Sequence, residues 1–226
     1  YLDASFSGTG RHLNVSRLGL RSADGNTALS ASGFINYSGK GRKSFRADIS
    51  DMRIDGGTIK ALAGNGNTGN GAAGIAEKLG RICFKGFIKG KDRQLSAAGT
   101  VGTDAGNASF EAGIDERKFH AKVIAEDINL ERILEDGSFG KLSADMAISG
   151  TTGNGIETVG ATGTISALDY NRYRYGNITL DGKYGKGMVE GRIAMNDVNG
   201  TVDIQGSIDI KDKRHPADIT ATIRNL

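Results

Sequence analysis

Residues 62–74 read LAGNGNTGNGAAG and contain Gly64-x-Gly66-x-x-Gly69, the spacing of a dinucleotide-binding turn. That chemistry needs a strand before the glycines, a helix after them, and a carboxylate about 20 residues further on for a ribose hydroxyl. Thr58 to Ala63 reads as a strand, Ala72 to Leu79 as a short helix, and Asp92 stands near the required distance. Two features argue against a cofactor. The helix is only about two turns long, and the residues after it, RICFKGFIKGKDRQLSAAGTVG, read as a hairpin with Asp92 in its turn. Parallel, wholly apolar strands are expected in a dinucleotide fold. Gly64 to Gly71 therefore reads as a polar surface tether, and no cofactor is expected.

Other chemistry is sparse. His12, His120 and His215 are far apart, and no His-x-x-His or Cys-x-x-Cys pair occurs, so metal-ligand spacing is lacking. The lone Cys83 reads as a small apolar strand residue. Neither a nucleophile elbow nor a phosphate-binding Walker sequence is present. Glu126-Asp127 and Glu135-Asp136 are sequence neighbours at expected strand ends, where they point to opposite faces and make poor acid–base couples. No catalytic residue emerges, and the chain is not expected to be an enzyme.

Two basic clusters occur, Lys40, Arg42, Lys43 and Arg46, then Lys211, Lys213, Arg214 and His215. Both read as solvated hairpin tips. A nucleic-acid site would need interleaved aromatics or one concentrated basic face, and the sequence displays neither. Tyr170, Tyr173, Tyr175 and Tyr184 are the one aromatic concentration. Tyr173 and Tyr175 fall on one strand face and Arg172 and Arg174 on the other. The apolar phase then resumes out of step at Ile178 and Leu180, which predicts a bulge near Gly176.

The elements that carry these residues are strands. Apolar residues recur with period two: Phe110, Ala112 and Ile114; Phe119, Ala121 and Val123; Leu142, Met146 and Ile148; Val202, Ile204, Ile208 and Ile210. Alternation at that period marks strands with one apolar and one wet face. Turn signals separate them at Asp24-Gly25-Asn26, Asp104-Ala105-Gly106, Asp115-Glu116-Arg117, Gly185-Lys186-Gly187 and Asn199-Gly200. The fold class is all-β, a long antiparallel meander of about 14 strands. At about 4.8 Å per strand such a sheet runs about 65 Å and must curl. Two short helices interrupt it, Ala72 to Leu79 and Leu130 to Leu134, expected as caps on a sheet edge. FRADISDMRI at 45–54 and FHAKVIAEDINL at 119–130 both run from an alternating strand into Asp-Φ-x-Φ, a faint internal repeat. The expected organisation is a first β segment at 1–63, the glycine loop and helix at 64–80, and a second β segment at 81–226.

Composition agrees with a sheet of this kind. Among 226 residues there are 35 Gly, one Pro and no Trp, and hydrophobic residues make up only 38%. A net charge of +3 is spread along the chain. No signal peptide or apolar spanning run is seen, and Tyr1 is not a translational start, so the chain reads as part of a longer protein.

Three stretches carry a resemblance: KVIAEDINLERILEDGSFGKLSADMAISGT at 122–151, GTISALDYNRYRYGNITLDGKYG at 163–185, and DVNGTVDIQGSIDI at 197–210. Together they resemble the TamB family of AsmA-like envelope proteins, in its Bacteroidota form. Over 1–120 only the rhythm is shared. The resemblance implies a periplasmic protein of the Gram-negative envelope, anchored in the inner membrane by a segment outside this chain. It implies an open, β-taco-like groove that carries phospholipid acyl chains between the membranes. An Omp85-class outer-membrane barrel is the implied protein partner, with a role in outer-membrane protein assembly as the alternative. On this reading the groove is lined by Phe110, Ala112, Ile114, Phe119, Ala121, Val123, Leu142, Met146, Ile148, Val159, Ile165, Ile178, Leu180, Val202, Ile204, Ile208 and Ile210. A 14-carbon chain loses about 11 kcal/mol of apolar shelter in water, at about 0.8 kcal/mol per CH₂. A continuous lining of mixed small and large residues would supply that shelter. The alternation leaves other readings open: an outer-membrane barrel with apolar residues outside, or a filled β-sandwich adhesin. Against the barrel, aromatic girdles are missing.

Overall fold

The computed structural model describes residues 1–37, 43–62, 72–153, 155–198, 200–212 and 214–224. The strands are β1 (Leu2–Thr9), β2 (His12–Arg21), β3 (Ala28–Tyr37), β4 (Lys43–Asp55), β5 (Arg81–Lys91), β6 (Gln94–Thr103), β7 (Gly106–Asp115) and β8 (Lys118–Asn129). They continue as β9 (Phe139–Thr152), β10 (Ile156–Tyr170), β11 (Tyr173–Tyr175), β12 (Ile178–Gly185), β13 (Met188–Asp197), β14 (Gly200–Asp209) and β15 (Ala217–Arg224). Helices are α1 (Gly56–Leu62), α2 (Ala72–Leu79) and α3 (Leu130–Leu134).

The protein is all-β. Its strands form one antiparallel sheet in sequence order, with β11 attached only to β10, and β1 and β15 each pair on one side only. The expected count of about 14 becomes 15 because the tyrosine segment separates from β12 at Gly176. Asn177 takes a positive φ of 51° there; the phase breaks as expected, but not by a bulge against β10, since Leu168↔Tyr175 and Ile165↔Ile178 are three residues apart on both strands. Two of the expected turns are tight. Glu116 (φ 53°) closes β7 to β8, and Lys186 (φ 55°) with Gly187 (φ 88°) closes β12 to β13.

Two compact units divide the chain. The first is Tyr1–Gly113 with Arg132–Glu135, and the second is Ile114–Glu131 with Asp136–Leu226. The glycine-asparagine stretch does not divide them, because the strands on either side of it, β4 and β5, pair directly from Ser44↔Lys91 to Asp55↔Arg81. The glycines 64, 66 and 69 of the nucleotide-like spacing lie outside the described residues.

One expected element is corrected. Thr58 and Ile59 lie in helix α1, not in a strand. Their β-branched side chains favour a strand locally, but Asp55 decides otherwise. Its carboxylate accepts the Gly57 N–H at 2.8 Å and caps the helix. α1 then docks on α2: the Gly56 N–H donates to the Gly80 carbonyl at 2.8 Å, and Lys60 pairs with Glu77 at 2.6 Å. A β-carbon on Gly56 would overlap the Ala76 carbonyl. Helices α2 and α3 have the expected bounds. All three helices join consecutive strands, so they sit at strand ends, not along a sheet edge. In the first unit, Arg132 donates from Nε to the Lys78 carbonyl at 2.5 Å, and Lys78 donates from Nζ to the Ile133 carbonyl at 3.0 Å.

The core is thin. Buried apolar residues are Ala28, Ala76, Phe84, Ala105, Ala144, Ile178 and Met195, and no large side chain is fully buried among the described residues.

Candidate functional site

Directly paired residues of neighbouring strands point to the same side of a sheet, so the register shows what each face carries. In the second unit, four rows cross β8, β9, β10 and β12–β15. One runs Val123–Met146–Gly163–Leu180–Ile193–Ile204–Ala221. Its neighbours are Ala125–Ala144–Ile165–Ile178–Met195–Val202–Ile223 and Ala121–Ile148–Ala161–Gly182–Gly191–Gly206–Ile219. The fourth is Phe119–Gly150–Val159–Tyr184–Val189–Ile208–Ala217. A single hydroxyl, that of Tyr184, interrupts an apolar surface seven strands wide, roughly 29 Å along the sheet.

Most of the sequence-derived lining residues are therefore brought onto one face: Phe119, Ala121, Val123, Met146, Ile148, Val159, Ile165, Ile178, Leu180, Val202, Ile204 and Ile208. Leu142 joins the same face through its pairing with Ile128 and Leu168. Phe110 and Ala112 belong to the first unit, where Phe110 stacks on Phe84 with centroids 6.0 Å apart. Ile114 is half-buried in the second unit. Ile210 follows the end of β14 at Asp209, donates its N–H to the Gly187 carbonyl of the neighbouring turn at 2.9 Å, and is 47% exposed.

The first unit has an apolar face that the period-two reading missed. Its rows are Leu2–Leu20–Leu29–Met52–Phe84–Val101, Ala4–Leu18–Ala31–Ile49–Gly86–Gly99, Phe6–Val15–Gly33–Ala47–Ile88–Ala97 and Gly8–Leu13–Ile35–Phe45–Gly90–Leu95. Bulges hide these rows in the sequence. Val15 and Leu18 share a face with two residues between them, as do Ile49 and Met52. In the second unit Ala125 and Ile128 do the same, and so do Ile165 and Leu168. Each bulge inserts one residue and restores the apolar phase. Three carry a serine that bonds to the adjoining strand. Ser16 donates to the Ser5 carbonyl at 3.1 Å, Ser50 to the Ser30 carbonyl at 3.1 Å, and Ser166 to the Ser143 carbonyl at 3.3 Å. The fourth uses Asp127, with φ 52°, whose N–H donates to Ser143 Oγ at 3.1 Å. Glu126-Asp127 thus lies at a bulge within β8, not at its end. The faint repeat at 45–54 and 119–130 is this same device, a strand that bulges and then enters a short helix.

Expected free volume over the small residues is partly filled. Phe45 lies over Gly90, Phe84 over Gly99, Phe119 over Gly150 and Met146 over Gly163. Gly182 and Gly191 differ, because the atoms nearest a β-carbon there are backbone. Beside them large aliphatics remain open, with Ile193 44% and Ile204 36% exposed.

The opposite face is wet and self-paired. Arg192 holds Asp203, Lys183 pairs with Glu190 at 3.1 Å, and Lys122 with Asp145 at 3.6 Å. A hollow of about 590 Å³ opens on this polar side, lined by residues that include Asp181, Lys183, Glu190 and Arg192. His120 is exposed here beside Ser149. Tyr173 and Tyr175 tilt together at 6.5 Å and Phe139 meets Tyr170 at 5.0 Å, prolonging the apolar face at one end. Arg174, on the other side, grips Asp169 through both carboxylate oxygens at 2.7 and 2.9 Å.

That grip holds the Asp169 carboxyl below its ordinary value, the Arg174 hydrogen bonds being the main cause. A lowered folded-state value stabilises the fold above the ordinary carboxylate pKa of about 3.9, and the contribution is lost as pH falls through the lowered value. In Arg174→Gln the Asp169 titration midpoint rises towards the ordinary value, measured by carboxyl NMR. An unmoved midpoint contradicts this account.

Comparison with protein-family models, curated proteins and solved structures gives no match. Among the described residues, no group of His, Cys, Asp or Glu is arranged to hold a metal ion, and no helix is long and apolar enough to cross a membrane.

Proposed function

We propose that this chain is a segment of a TamB-like lipid-transfer bridge, sheltering phospholipid acyl chains on its apolar face as they pass between inner and outer membranes. The observation that carries the reading is the set of four apolar rows in the second unit, with large aliphatics left part-exposed instead of packed into a core. A water-soluble domain ordinarily covers a surface of this extent, so an open one marks a site for an apolar guest. The guest is held by dispersion and the hydrophobic effect, with no covalent step. Repetition of similar rows favours movement over tight storage, because no position binds much better than the next. The Gly182–Gly191 lane, flanked by Leu180 and Ile193, gives a chain room against bare backbone. An Omp85-class barrel as receiving partner, an inner-membrane anchor outside this chain and a periplasmic location complete the proposal.

Photo-crosslinkers at Val123, Ile148 and Ile204 are expected to capture phospholipid, and those at Lys122 and Asp203 are not. Native mass spectrometry identifies the adduct. Equal labelling of both faces, or none at either, overturns the reading.

A further inference from the structure

The wet face of the first unit is not uniformly polar. Residues scattered in sequence meet there across β3, β4 and β5. Phe34 pairs with Arg46, and Arg46 with Lys89. Phe87 pairs with Asp48, and Lys91 with Ser44. Along β5 the same side therefore reads Lys85, Phe87, Lys89, Lys91, with the three lysines exposed and Phe87 half-buried. The Arg46 guanidinium sits 4.6 Å from the Phe87 ring centre, and Lys89 Nζ sits 5.4 Å from it.

The carboxylates on this face are already committed, Asp51 to Arg53 at 3.4 Å and Asp48 to Arg46. Arg46 donates to both oxygens of Asp48, from Nε at 2.9 and 2.8 Å and from NH2 at 2.6 Å. Among the described residues no carboxylate forms an ion pair with Lys85, Lys89 or Lys91. Three ammonium groups along one strand face thus lack an ion-pair partner among the described residues, beside Phe87 and with Phe34 two strands away.

We propose that this face docks on an anionic phospholipid bilayer, the lysines meeting lipid phosphates and the phenylalanines lying at headgroup depth. Aromatic bodies flanked by cations match an interface that is apolar below and negative above. Single-stranded nucleic acid fits less well, since it needs open ring faces for base stacking, and cations already occupy the Phe87 ring. The proposal is independent of the acyl-chain reading, which rests on the apolar rows of the second unit.

The test is flotation of the whole chain with vesicles of phosphatidylcholine, with and without about one third phosphatidylglycerol. Each lysine contributes roughly fivefold to partitioning onto anionic lipid. Lys85→Gln/Lys89→Gln/Lys91→Gln is expected to lower binding to the anionic vesicles on the order of 100-fold, with an unchanged far-UV circular dichroism spectrum. High salt is expected to weaken wild-type binding similarly. Equal binding of wild type to both vesicle types overturns the proposal, since attachment would then run through the apolar face. So does no binding at all, unaltered binding of the triple variant, or binding only to a single-stranded oligonucleotide. Photo-crosslinking at Ile204 reads the acyl-chain proposal separately, so the two can fail independently.

Discussion

Gly33→Ala lowers the thermal unfolding midpoint by about 5–10 °C, while Gly10→Ala leaves it unchanged or slightly raised. A methyl group on Gly33 would overlap the carbonyl oxygen of Arg46 on the next strand, and β4 would have to retreat. Overpacking of this kind costs about 1–3 kcal/mol. Backbone conformation is not the cause, because the φ of Gly33 lies outside the left-handed region. The obstacle is closeness of approach. Gly10, in the turn between β1 and β2, has no neighbour within 4 Å of its would-be β-carbon. Alanine there mainly restricts the unfolded chain. Gly8, Gly150, Gly163 and Gly206 would also overlap a carbonyl on the facing strand, so their alanine variants should resemble Gly33→Ala. Circular dichroism melts of the two variants decide the matter, and equal midpoints would refute it.

Ile193→Asp/Ile204→Lys is expected to reduce phospholipid retention by one to two orders of magnitude with the sheet intact. The two isoleucines face each other across β13 and β14 and are 44% and 36% exposed. The new charges stay hydrated and form a cross-strand pair that supports the ladder. What is lost is apolar surface for a guest, at about 1.5–3 kcal/mol for each large side chain fully engaged. Gln205→Glu, adjacent to Ile204 but on the wet face, is the control and should retain lipid like the parent. Native mass spectrometry of the three proteins gives the comparison. Retention unchanged in the double variant would sink the acyl-chain proposal.

Strand character was legible wherever alternation ran unbroken, as in β8 from Phe119 to Val123 and β14 from Val202 to Ile208. Helices α2 and α3 were legible because Ala-, Leu- and Glu-rich turns interrupt a β-branched background. The hairpin after the glycine stretch was also readable, as β5 and β6. Helix α1 was not, since its cause is a cap from Asp55 and a docking site on α2 that local propensity does not encode. The apolar rows of the first unit were obscured where two residues separate Val15 from Leu18, and again Ile49 from Met52. A Φ-Ser-x-Φ spacing would have revealed both. The Phe34–Arg46–Lys89 row was invisible for another reason: its members come from three strands, and only register brings them together.

The bulges at Ser16, Ser50, Asp127 and Ser166 have a consequence for how such a chain can change. In an unbroken strand, gaining one residue turns every later side chain to the wrong side. A strand that sheds the surplus into a bulge, with a hydroxyl or amide to hold it, keeps its two sides sorted. Single-residue length changes then become survivable edits. Sidedness can persist while the letters, and even their number, drift.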